Sequence, residues 1–141
     1  MDVISRLRAA AAEVFTDQSV QFAYLFGSQA RGQARPDSDV DVAVHFSPDV
    51  ASSEYLARST TLSGRLADRA GAGPINGLVV LNDAPLRLVG RVLRDRVVLY
   101  SSDETARVDY EVRMSKQAMD FEIHAAPLDR ALLAAMAAET D

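Results

Sequence analysis

The chain has 141 residues, 48% hydrophobic and 25% charged, and carries 15 Lys plus Arg against 20 Asp plus Glu, a formal net charge of −5. That length suits one hydrophobic core and is short for two domains, and the composition is that of a folded globular protein. The negative balance argues against nucleic-acid binding by bulk charge while leaving room for a local basic patch that holds a nucleotide. The absence of Cys excludes disulfides, a thiolate nucleophile and Cys-ligated zinc. No apolar run approaches the ~20 residues of a membrane span, and the N-terminal MDVISRLRAAAAEVF is amphipathic rather than a signal peptide, so the expectation is a cytoplasmic protein.

Val3, Ile4, Leu7, Ala11 and Val14 recur at helical spacing behind a capping Asp2, which predicts a helix over 2–16. Asp17-Gln18-Ser19 turns the chain into a first strand in which Val20, Phe22, Tyr24 and Phe26 alternate with Gln21, Ala23 and Leu25. Gly27-Ser28 ends it, and 29–36 reads as a short helix or loop. From Asp39 the alternation is sharp: Val40, Val42, Val44 and Phe46 on one face, Asp39, Asp41, Ala43 and His45 on the other. Ser52 or Ser53 is placed to cap a helix with Tyr55, Leu56, Leu62 and Leu66, stopped by Gly71-Ala72-Gly73-Pro74. Residues 75–81 read as a buried strand. A helix follows with Asn82 or Asp83 as its cap, Pro85 in its first turn and Leu86, Val89 and Leu93 inside. Val97 to Tyr100 reads as a strand near an edge, and Ser102 or Asp103 opens a long helix with Val108, Val112 and Met119 toward the core, broken near Pro127 and followed by an Ala- and Leu-rich helix. The expectation is a single α/β domain, with a small mixed sheet in a core of about 18–100 and C-terminal helices over about 102–139.

The stretch that carries chemistry is Gly27-Ser28, ten residues, then Asp39-Val40-Asp41. A Gly at a strand end lets the backbone turn tightly beside a ligand, and the following amides with the Ser28 hydroxyl point donors at phosphate oxygens. Two Asp at i and i+2 on a strand share a face about 7 Å apart, within reach of Mg²⁺ ions that also bind substrate phosphates. A D-x-D alone is ordinarily a solvated strand face. The combination with G-S at one fixed spacing arises by chance with odds on the order of one in several hundred.

The segment FGSQARGQARPDSDVDVAV resembles the G-S-x₁₀-D-x-D signature of the minimal nucleotidyltransferases, relatives of the DNA polymerase β superfamily, and LVVLNDAPLRLVGRVLRDRVVLY is weakly similar to the region that follows the third strand in antitoxin-type members. The resemblance covers residues 20–100, and its specific part is 26–44. It implies a small mixed β-sheet flanked by helices, Mg²⁺, ATP as substrate, and transfer of a nucleotidyl group to a hydroxyl. It also implies a HEPN ribonuclease toxin as partner, in hetero-oligomeric contact, neutralised by AMP attached to a toxin tyrosine. On this reading Asp39 and Asp41 are catalytic and bind metal, while Gly27, Ser28 and Arg31 bind nucleotide. The toxin's own R-x₄-H-x-Y pattern is absent here, which places the chain on the antitoxin side, with no direct nucleic-acid binding expected.

One departure stands out. Where the family pattern has a third Asp, this chain has Gly77, in Gly77-Leu78-Val79-Val80-Leu81-Asn82. Strand alternation turns Asn76 to the opposite face, and Asp83 lies six residues on, roughly 20 Å along an extended strand. An acid from elsewhere or a water completes the site, or the enzyme is slowed or dead, in which last case the chain neutralises its toxin by binding alone. Transfer to a small molecule such as an aminoglycoside would call for a second substrate domain that this length does not supply. Arg31 and Arg35 are candidates to neutralise phosphate, with a solvated loop role as the alternative; Asp37 and Ser38 read as turn caps, His45 as a polar residue at a strand end, and His124 as a helix-end cation. Gly27 and Gly32 have P-loop spacing, but Gln33-Ala34 stands where Lys-Ser/Thr is required, and no G-x-G-x-x-G, H-E-x-x-H or G-x-S-x-G motif occurs.

Overall fold

A computed structural model of the chain describes residues 2–33 and 39–139; the readings of Arg35, Asp37 and Ser38 lie outside the described residues. Helix α1 (Val3–Phe15) starts where the Asp2 carboxylate accepts from the Ser5 amide at 2.7 Å, satisfying one of the free donors of its first turn. Strand β1 (Val20–Phe26) pairs antiparallel with β2 (Val40–Phe46), helix α2 (Tyr55–Ala70) crosses over to β3 (Ile75–Val80), which lies parallel to β2, and helix α3 (Leu86–Asp95) leads to β4 (Val97–Ser101), antiparallel to β1. The sheet order is β3-β2-β1-β4. The chain closes with α4 (Glu104–Asp120), a π-helical segment Phe121–Ala125 and α5 (Ala126–Glu139).

Period-two alternation sorts the side chains into two cores. Val40, Val42, Val44 and Phe46 of β2, with Ala23 and Leu25 of β1, pack beneath α1 and α2 against Leu7, Val14, Phe15, Leu62 and Leu66. Phe22, Tyr24 and Ala43 face the other way, under Val89, Val92 and Leu93 of α3 and Tyr110 of α4. A small mixed sheet covered by helices on both faces, as expected from the sequence, is the result.

Several local expectations are corrected. Val108, Val112 and Met119 of α4 do not reach the core; they are 50%, 68% and 63% exposed, and Tyr110 is the residue α4 buries. The inward face of α4 carries Tyr110 and Met114 beside a polar cluster instead. Glu111 accepts a 2.7 Å hydrogen bond from the buried Tyr24 hydroxyl and pairs with Arg96 at 3.0 Å and with Arg107. A satisfied ionic network thus occupies the side that an apolar stripe was expected to fill. Strand β3 is an edge rather than a buried strand: Asn76 and Gly77 are exposed, and the ladder slips between the Val40↔Ile75 and Val42↔Leu78 pairs. Asn82 does not cap α3, whose first turn has no side-chain cap; its amide clamps the end of β2, accepting from the Phe46 amide at 2.8 Å and donating to the Phe46 carbonyl at 3.0 Å. Neither Ser52 nor Ser53 caps α2, because both lie in a short 3₁₀ turn ahead of it, and Leu56 is solvent-exposed. The break after α4 is the π segment, ahead of Pro127, and exposed His124 falls within it. Asp103, as expected, caps α4 through a 3.0 Å bond from the Ala106 amide.

Two stability predictions follow from the helix-α4 side of the sheet. Tyr24→Phe should cost about 1.5 to 3 kcal/mol in urea unfolding, the worth of a hydrogen bond to a charged acceptor. His45 stacks on Phe22 at 4.8 Å and lies 5.0 Å from Tyr110, and burial pushes its imidazole down to about 4, with Arg113 adding to the effect. The unfolded chain therefore binds the His45 proton more tightly, so this residue should make stability fall as pH drops from about 6.5 to about 4. His45→Gln should flatten the slope of unfolding free energy over that window; an unchanged slope would assign it to other groups.

Candidate functional site

The pairing of β1 with β2 places Phe26 opposite Asp41, so the turn that leaves β1 begins beside the first strand's acidic neighbour. Gly27 has φ +75°, and a Cβ there would collide with the Asp41 carboxylate. Only glycine meets both conditions, the left-handed backbone and the missing side chain. The chain then coils tightly: the Arg31 amide donates to the Gly27 carbonyl at 3.1 Å and the Gln33 amide to the Ser28 carbonyl at 2.9 Å. The expected short helix or loop after Ser28 is this turn.

Gly27, Ser28, Arg31 and Asp41 line one cleft of about 610 Å³, together with Phe26, Val79 and Leu88 and three residues from the end of α3, Arg91, Arg94 and Asp95. The structure therefore brings four of the five residues singled out in the sequence into one concavity. Asp39 stands beside it, at the start of β2, and its charge is felt at Asp41: burial pushes the Asp41 carboxyl above its ordinary value, the Asp39 carboxylate pushes it further, and Arg31 and Arg91 pull the other way. Asp95 is 5% exposed at its side chain and lies under two guanidinium groups, Arg31 at 2.6 Å and Arg94 at 3.0 Å. The Arg94 hydrogen bond, and then that of Arg31, hold its carboxyl below the ordinary carboxylate range. One acid thus anchors two arginines at the mouth of the cleft.

Sequence reasoning missed the α3 contribution. Arg87, Arg91 and Arg94 recur at i, i+4 and i+7, one face of a helix, and that spacing was the available signal. It also misplaced Asn76. Gly77, at φ +75°, sits where the β2–β3 register slips, and that irregularity breaks the alternation; the Asn76 amide hydrogen-bonds the Asp39 carboxylate instead of facing away. His45 is held by the aromatic stack and by Gln21, whose Oε1 lies 3.1 Å from its Nδ1, consistent with a structural residue at the strand's end.

The donor set suits a hard divalent cation. A carboxylate whose ionisation is disfavoured by burial and by a second carboxylate nearby is relieved by a cation between the two, and Mg²⁺ is content with one or two carboxylates when phosphates complete its shell. Among the described residues no three Asp, Glu, His or Cys side chains come together as a larger metal cluster. The arginines opposite and the glycine turn supply cations and amide donors suited to a polyphosphate.

No curated protein sequence matches the chain. Solved structures do. A chain from the crystal structure of a toxin–antitoxin with AMP-PNP aligns over 92% of this chain and 97% of its own, with 20% identity and a TM-score of 0.68. A chain from the complex of tri-AMPylated Shewanella oneidensis HEPN toxin with MNT antitoxin aligns over 94% and 98%, with 18% identity and a TM-score of 0.64. One from the toxin–antitoxin MntA-HepT aligns over 92% and 96%, with 19% identity and a TM-score of 0.63. At these identities the likeness is one of fold. Sequence supplies the rest: the family model described as "Polymerase beta, Nucleotidyltransferase" matches residues 10–105, which contain the glycine turn, Asp39 and Asp41 and the arginine-bearing helix, and the chain belongs to that family.

Proposed function

We propose that this protein is a Mg²⁺-dependent nucleotidyltransferase that moves AMP from ATP to a tyrosine of a HEPN ribonuclease partner, and so acts as that toxin's antitoxin. The observation that carries the reading is the close approach of Gly27 to the Asp41 carboxylate, and a glycine turn beside an acid of a D-x-D pair supports a phosphate cradle next to a metal-binding site. The fold-level likeness to antitoxin complexes, one with AMP-PNP and one with a tri-AMPylated toxin, supports the choice of nucleotide and partner.

On this reading the amides after Gly27 and the Ser28 hydroxyl donate to the triphosphate, and Arg31 and Arg91 offset its charge as it enters the cleft. Asp39 and Asp41 would hold Mg²⁺, which when bound neutralises charge on the phosphates. The acceptor's hydroxyl oxygen bonds to the α-phosphorus as the bond from that phosphorus to the bridging oxygen breaks, pyrophosphate leaves and the hydroxyl proton passes to solvent. Asn76 orients Asp39 through its amide, which leaves the other carboxylate oxygen available. Ser28 acts as a donor, since none of the residues lining the cleft with it is a His or Lys that could deprotonate it.

A second reading is favoured by one feature. In β3 the residues beside the acids are Asn76 and Gly77, neither of which can take a proton or supply a third carboxylate. A protein of this kind would bind nucleotide and neutralise its toxin by occupancy rather than by transfer.

Intact-mass measurement of the partner after incubation with the protein, ATP and Mg²⁺ separates the two readings: addition of AMP supports the enzyme, and stoichiometric silencing with no mass change supports the binder. Asp39→Asn with Asp41→Asn should abolish Mg²⁺-dependent ATP binding in calorimetry. Asp41→Asn alone should raise the melting temperature of the nucleotide-free protein at pH 7. The sign follows from the raised pKa: the folded state pays for an ionised Asp41 at neutral pH, and that cost fades as pH falls toward the ordinary aspartate value. A Gly77→Asp variant meets open space around its new Cβ, at the cost of a left-handed backbone of roughly 1 to 2 kcal/mol. It should raise the rate of AMP transfer with little change in ATP affinity; no gain over a rapid native enzyme would mean that another acid completes the site.

A further inference from the structure

Arg87, Arg91 and Arg94 form an exposed ridge along α3 with a concavity on each side. On one side is the cleft of Gly27 and Asp41. On the other is a groove of about 400 Å³ between α3 and the end of α4, and Arg91 and Arg94 line both. Gly90 lets the two helices approach closely, since a Cβ there would lie 3.3 Å from the Ala118 Cβ. The groove's wall is apolar at Leu86, Met119 and Phe121, and the Arg87 guanidinium lies 5.2 Å from the centre of the Phe121 ring. Glu122 adds an acceptor at its rim.

Local charge makes this ridge unusual in a protein whose net charge is −5. Asp95 serves both Arg31 and Arg94, Asp129 reaches Arg87 only across 3.5 Å at the exposed outer end, and Arg91 is not matched by an ion pair among the described residues. A cationic ridge beside an aromatic ring is the combination that holds a nucleotide, with phosphate on the guanidinium groups and base on the planar faces.

We propose that the groove is a second nucleotide subsite, which holds an AMP unit already joined to the acceptor while the cleft holds ATP. The proposal rests on the nucleotidyl-transfer reading above and extends it. Once a first AMP is attached, its ribose presents hydroxyls of the same class as the original acceptor. With that unit lodged across the ridge, a ribose hydroxyl oxygen bonds to the α-phosphorus of the ATP in the cleft. The α–β phosphoanhydride bond breaks, pyrophosphate departs with the bonding electrons, and the hydroxyl proton goes to solvent. Arg87 and Phe121, which lie outside the cleft, are the positioning residues, and they set how many units are added.

The test uses Arg87→Gln and Phe121→Leu in the full chain, with thermal melts to establish that each is folded. Two readouts are taken. With partner, ATP and Mg²⁺, the native protein should add more than one AMP, while both variants should add the first AMP with unchanged rate and unchanged KM for ATP and stop there. In fluorescence anisotropy, a labelled 5′-phosphorylated diadenylate should bind the native protein saturated with a non-hydrolysable ATP analogue, and bind Arg87→Gln about ten-fold more weakly, the scale of one charge-assisted hydrogen bond. A raised KM for ATP at the first transfer with product length intact would give the groove to the incoming nucleotide and overturn the proposal. So would a native protein that stops at one AMP, preferential extension of a free RNA 3′ end, or equal diadenylate binding by all three proteins. If the native protein transfers no AMP at all, the parent reading fails, and the anisotropy comparison still decides whether the groove is a nucleotide subsite.

Discussion

The arrangement of the cleft depends on one contact, the approach of the Gly27 backbone to the Asp41 carboxylate. It is made possible by register: Phe26 lies opposite Asp41 in the β1–β2 ladder, so the first residue beyond β1 must turn over the acid. A one-residue slip of that ladder would send Asp41 to the face of α1 and α2, where Val40, Val42 and Val44 now lie, and would bury a carboxylate among Leu7, Val14 and Leu66. The large apolar side chains on that face penalise such a slip heavily. The hydrophobic core therefore fixes the position of the acid, and the acid in turn favours glycine at position 27, since any Cβ there would force the Asp41 carboxylate to move.

The second face of the sheet is organised by charge as much as by apolar contact. Tyr24 is fully buried, and its hydroxyl needs an acceptor; Glu111 provides one, and Arg96 and Arg107 neutralise Glu111. The network fixes the rotation of α4 about its axis. With Tyr110, Glu111 and Met114 turned inward, Val108, Val112 and Met119 are necessarily turned out, and the end of the helix brings Ala118 and Phe121 beside α3. The groove next to the arginine ridge is thus a consequence of satisfying one buried phenol.

Much of this was legible in the sequence where a single periodicity governed. The period of two across residues 40–46 gave the faces of β2 correctly because the irregularities of both its ladders fall on the partner strands, and Gly27-Ser28 with Asp39-Val40-Asp41 pointed to neighbouring residues because a signature motif compresses three-dimensional proximity into fixed spacing. The failures have specific physical origins. In α4 the apolar residues Val108, Val112 and Met119 mark the exposed side, while the ion-paired Glu111 and Arg107 lie toward the sheet, and their mutual neutralisation is invisible without the fold. In β3 a glycine at positive φ, where the ladder slips, shifted the phase by which Asn76 was read. The arginines of α3 carried the right helical spacing, yet nothing in the spacing says which way the helix faces.

Asp41 and Asp95 express opposite solutions to the same electrostatic problem at the two sides of the cleft. Asp95 has two arginines within hydrogen-bond reach, and its charge is stabilised by the fold itself. Asp41 is partly desolvated, has a like charge nearby and forms no ion pair with Arg31 or Arg91, so among the described residues its charge is matched only at a distance. An acid in that state gains more from an arriving cation than one already matched within the protein, because the cation's binding energy is not spent in displacing an internal partner. Arg31 is kept from quenching Asp41 by its bond to Asp95 at 2.6 Å. Asp95 therefore shapes the cleft that it helps to line: by engaging Arg31 it holds a guanidinium there and keeps it from forming an ion pair with Asp41.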